Sequence, residues 1–75
     1  MTITDYADAL SDALNANLRH GEPAWSVVRH PTLTSRLLVE QQTDPPHLFS
    51  VPFYQGCPDA QTVANMVLTL AGARR

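Results

Sequence analysis

Lysine is absent from this 75-residue chain, cysteine occurs once, and charged residues make up only 16 % of it. Each shortage excludes something. The cations are five arginines, at 19, 29, 36, 74 and 75, set against seven acids for a net charge of −2. Scattered in this way they form no basic stripe of the kind that duplex binding needs, so nucleic acid is not the expected partner. A lone cysteine cannot close an internal disulfide, and small secreted domains generally rely on several, so the expected home is the cytoplasm. The acidic opening "MTITDYADALSDAL" does not read as a signal peptide, and no apolar run approaches the ~20 residues that cross a bilayer. The sequence therefore reads as soluble, with no membrane association. The three glycines, Gly21, Gly56 and Gly72, are isolated and form no phosphate-binding loop. Arginine without lysine, together with abundant alanine, suggests a GC-rich bacterial or phage genome, and for a phage protein the cytoplasm would be the host's.

What remains is a 44 % apolar chain, enough for one small globular domain over residues 1–75 with a thin core; at this length folding buries only about two-thirds of the surface of the unfolded chain. Ile3, Tyr6, Ala7, Leu10, Ala13, Leu14 and Leu18 recur at helical spacing, with Asp8, Ser11, Asp12 and Asn15 opposite. Thr4 is the expected cap, Arg19 and His20 complement the C-terminal end of the dipole, and Gly21 with Pro23 stops the helix. "PAWSVVRH" and "TSRLLVEQQ" read as strands, the second less distinctly because Leu33, Leu37, Leu38 and Gln41 also fit a short helix. "TDPP" breaks the chain. In "HLFSVPFYQ", Phe49, Val51 and Phe53 alternate with Ser50 and Pro52, and a proline without a donor belongs on an edge strand. The last segment, from "CPDAQT" onward, reads as a helix with Pro58 in its first turn, Arg74 and Arg75 near its end, and a buried stripe of Ala60, Val63, Met66, Val67 and Leu70.

The expected fold is thus α+β: an α-β-β-β-α two-layer sandwich, a three-stranded antiparallel meander with both helices on one face. If "PTLT" is the first turn, Arg29 pairs with Arg36 and Val28 with Leu37. Val28, Leu37, Val39, Phe49, Val51 and Phe53 then face the helices. Trp25, Val27, Leu38, Leu48, Pro52 and Tyr54 face outward, rimmed by Arg29, Arg36 and Glu40. A register off by one would exchange the two faces.

Chemistry has few footholds. Cys57 stands just before Pro58 where a helix begins, and unpaired amides there would stabilise a thiolate. Over about ten residues, "PFYQGCPDAQT" resembles the strand-Cys-Pro-helix segment of thiol peroxidases and thioredoxin-like proteins, which implies a redox thiol at Cys57. The chain departs from that family by placing Tyr54 where it has threonine or serine, and it has no second, resolving cysteine. His20, His30 and His47 show no metal-ligand spacing, so neither a metal nor another cofactor is expected. Ser11, Ser26, Ser35 and Ser50 lie in no nucleophile elbow. The element order also resembles double-stranded-RNA-binding domains, which implies an exposed sheet face. Those domains open their last helix with lysines, whereas the matching stretch here is "CPDAQT".

The reading that suits these residues is a non-enzymatic interaction protein with no catalytic residue. As an accessory subunit, an immunity or inhibitor protein, or a phage-encoded antagonist of a host system, it would dock a sheet face or the edge strand on a protein partner or on itself. The expected contact residues are Trp25, Val27, Arg29, Arg36, Leu38, Glu40 and Tyr54, because exposed aromatics and arginines dominate interface hot spots.

Overall fold

The computed structural model describes residues 2–16, 18 and 20–72. Helix α1 (Ile3–Asn15) is followed by strands β1 (Trp25–Arg29), β2 (Arg36–Gln41) and β3 (His47–Pro52), and then by helix α2 (Ala60–Leu70). The strands form an antiparallel meander in the order β1-β2-β3. The α+β architecture is the one the hydrophobic pattern predicts.

Helix α1 is amphipathic because Tyr6, Ala7, Leu10 and Leu14 fall on one side and are buried there. Thr2, rather than Thr4, caps it. The Thr2 hydroxyl accepts from the Asp5 N–H at 3.1 Å, and the Thr2 N–H reaches back to the Asp5 carboxylate, a capping box with aspartate in the usual place of glutamate. The helix ends at Asn15, short of the expected Arg19, which lies outside the described residues, as do Arg74 and Arg75. His20 is exposed beyond the helix end.

The sheet buries the face carrying Trp25, Leu37, Val39 and Val51 against the helices. Leu10, Leu14, Leu37 and Val39 are fully enclosed, and each such aliphatic side chain stabilises the fold by about 1.5–3 kcal/mol relative to exposure. The second strand is a strand and not a helix, and its burial alternates residue by residue from Arg36 to Gln41. Pro52 sits on an edge strand, as its missing donor requires.

Two further expectations are overturned. The first is the β1 register. Arg29 pairs with Leu37 and Val28 with Leu38, one residue away from the expected alignment. The last backbone link is His30 N–H to Arg36 C=O at 3.0 Å, so the loop spans residues 31–35 and is one residue longer than "PTLT". The imidazole of His30 shapes it: Nδ1 accepts from the N–H groups of Thr32 and Leu33 at 3.2 and 3.1 Å, while Ser35 takes a left-handed φ of 58°. One extra residue turns β1 over. Trp25 and Val27 therefore face the helices and Val28 faces outward, the reverse of the expectation.

The second correction concerns α2. Its buried residues are Val63, Ala64, Val67 and Leu68, while Met66 and Leu70 are 54 % and 72 % exposed. The helix is rotated because α1 packs along it, drawing in the small Ala64 and Leu68 and leaving the other flank uncovered. Pro58 precedes the helix and Asp59 is the N-cap residue.

Candidate docking surface

The backbone ladder decides which groups β3 leaves unpaired. Phe53 N–H donates to Ser35 C=O at 2.8 Å. By alternation the odd-numbered residues of β3 turn their N–H and C=O toward β2, and Leu48, Ser50 and Pro52 turn theirs toward the free edge. Pro52 offers only its carbonyl there.

Beside this edge, on the helix side, runs a groove of about 260 Å³. Its floor is Phe49, Val51, Val63 and Val67, and its rim is Pro52, Tyr54, Pro58, Met66 and Leu70. No lining residue is charged. Tyr54, Met66 and Leu70 are all more than half exposed, so the apolar rim stands in water. On the opposite side of the same strand, Leu48 is 55 % exposed and Pro52 also faces out. Across the open face Val28 pairs with Leu38, and the Arg36 guanidinium donates to the Ser50 hydroxyl at 3.1 Å. Apolar surface thus flanks the β3 edge on both sides.

The far end of the groove is held by Tyr6. Its hydroxyl donates to Pro58 C=O at 2.6 Å and its ring tilts against Phe53 at 5.2 Å. Burial above all, then the Cys57 thiol, the Asp59 carboxylate and Tyr54, push the Tyr6 phenol up to about 12. Cys57 is half-buried, its N–H bonded to Tyr54 C=O, two residues ahead of the Asp59 cap. It therefore stands outside the first turn of α2. At that turn the Thr62 hydroxyl instead donates to the Asp59 carboxylate.

The structure separates the expected contact residues. Trp25, 3 % exposed, lies on the helix side, stacked on His47 at 6.1 Å and tilted toward Phe49 at 6.3 Å. Val27 is half-buried beside it, and Arg29, on the same side by alternation, is exposed. Leu38, Arg36 and Glu40 do face outward together. Tyr54 faces solvent at the groove, at the end of the sheet opposite Trp25. The sequence reading missed Met66 and Leu70, whose signal was that α2 carries more apolar residues than one buried stripe can hold.

His47 begins β3, with Nδ1 3.0 Å from the side-chain Oε1 of Gln41, whose Nε2 in turn donates to Pro23 C=O. Among the described residues no cluster of histidine, cysteine or acids is placed to hold a metal ion, and no helix is long and apolar enough to cross a membrane. No protein-family model matches the chain, and no curated protein or solved structure is significantly similar to it.

Proposed function

We propose that the protein is a non-enzymatic interaction module that docks through the β3 edge and the groove between β3 and α2. The observation that carries this reading is the coincidence of unpaired strand backbone with an uncharged apolar groove on the same flank. Strand addition draws affinity from main-chain hydrogen bonds and specificity from pockets for alternate side chains. Exposed Tyr54, Met66 and Leu70 supply the apolar anchors that the sequence had assigned to Trp25. Such a surface acts by occlusion or assembly and needs no reactive group, which suits an accessory subunit, an immunity or inhibitor protein, or a phage antagonist of a host system. The Asp59 carboxylate at the start of α2 would repel phosphate, which favours a protein partner over double-stranded RNA.

The test compares three immobilised forms in lysate of the source cells: wild type, Met66→Asp/Leu70→Asp, and Val28→Asp as a control on the open face. All three substituted positions are exposed, so each form should keep its thermal midpoint within a few degrees. A protein retained by wild type and the control but lost with the groove variant is the expected result. Equal retention by all three rules the groove out.

A further inference from the structure

We propose that the occupant of this surface is a second copy of the same chain, joined β3 to β3 about a two-fold axis into a six-stranded sheet. The inference rests on the docking reading above and names its partner.

Donor accounting comes first. Pro46 and Pro52 have no N–H, so the outward donors of the β3 segment are those of Leu48 and Ser50. An antiparallel pairing centred on Ser50 sets Ser50 opposite its own copy and Leu48 opposite the second copy's Pro52. The two serines exchange N–H and C=O bonds, and each Leu48 N–H donates to a Pro52 carbonyl. Both outward donors are used, and the one bond forgone is at the strand end, where Pro52 offers no donor to the Leu48 carbonyl opposite it.

Charge agrees with this alignment. Within one chain Arg36 is the neighbour of Pro52, and Glu40 that of Leu48. Pairing therefore makes a row on the open face that runs Arg36, Pro52, then Leu48 and Glu40 of the second copy. The symmetry repeats that row in reverse. Opposite charges cap both rows across about 14 Å of backbone, three strand spacings. Arg36 already leans over β3 to reach Ser50, which shortens the gap. On the helix side a two-fold contact brings like surface to like, and a groove without charge pays no repulsion. Met66 and Leu70 of the two copies would cover each other.

Closure comes from the symmetry: a two-fold pairing uses the β3 edge of both copies, so this contact stops at two. At the other edge the outward backbone groups of Trp25, the first residue of β1, are already taken, the N–H donating to the Asn15 side-chain oxygen at 2.7 Å and the C=O accepting from the Asn15 amide at 3.1 Å.

Sedimentation equilibrium tests this with Ser50→Lys and Ser50→Asp, substitutions at an exposed position. The wild type should weigh twice the chain mass of 8.2 kDa. Each variant alone sets like charges directly opposite one another and should weaken dimerisation tenfold or more, and their equimolar mixture should restore it. A wild type that stays monomeric at millimolar concentration overturns the second-copy inference, as does a dimer indifferent to both charges. A monomer that still loses a retained protein on Met66→Asp/Leu70→Asp leaves the docking reading standing; a monomer with no such loss removes both.

Discussion

The two edges of this sheet are treated in opposite ways. At β1 the first residue is sealed: the Asn15 amide presents a donor and an acceptor to Trp25 in the manner of a neighbouring strand, and α1 lies alongside. At β3, among the described residues, the outward backbone groups of Leu48 and Ser50 have no partner, Pro52 deletes one donor, and apolar side chains border the edge. An unprotected edge is a liability that native proteins usually blunt with charge or cover. That β1 is closed at its first residue while β3 is left open beside an apolar groove is the physical reason we propose β3 as the docking edge.

The contrast can be broken most severely at Trp25. Trp25→Ala removes the ring that stacks on His47 and Phe49 and should cost about 3–5 kcal/mol, enough to unfold most of a domain of this size in a urea titration. Asn15→Ala is the sharper experiment. It leaves the Trp25 N–H and C=O without their side-chain partner, at about 1–3 kcal/mol by denaturant midpoint. It should also free the Trp25 end of β1 for strand pairing, visible as species larger than the wild type in sedimentation.

The smallest effect is at the other end of the groove. Tyr6→Phe loses the bond to Pro58 C=O, about 1 kcal/mol, and alters the alkaline limb of stability. The folded-state value of the Tyr6 phenol is raised from 10.0 to about 12. Its contribution is therefore complete below pH 10 and lost as the pH rises from there through 12. The wild type should lose stability across that window more steeply than Tyr6→Phe. The difference in phenolate absorbance between the two proteins should report Tyr6 ionising near 12.

Much of this architecture was legible in the sequence. Elements follow from periodicity: apolar residues spaced along α1 have only a helix to satisfy them, and Phe49, Ser50, Val51 and Pro52 alternate as only an edge strand does. Register was not legible, because it hangs on a loop whose length is decided by a side chain. No composition rule says that His30 will accept two backbone N–H groups, or that a serine will take the left-handed conformation at 35. The parity of β1 follows from those two residues, and Trp25 went to the wrong face with it. The rotation of α2 was hidden for a different reason. Val63 and Val67 belong to either stripe, and the choice between Ala64 with Leu68 and Met66 with Leu70 is made by the neighbouring helix. Met66 and Leu70 were read as core because burial is the default for such residues.

The bond from the Tyr6 hydroxyl to the Pro58 carbonyl spans 52 positions. It marks the seam where the first helix meets the connection that leads from β3 into the last one. On a ribosome, β1 reaches α1 within a few seconds of its synthesis, whereas the partner for the other side of α1 emerges only after the entire meander. Closing so wide an interval costs little extra entropy but takes time. During that interval part of the apolar stripe of α1 has no cover, so the completion of this fold is paced by translation and not by helix formation.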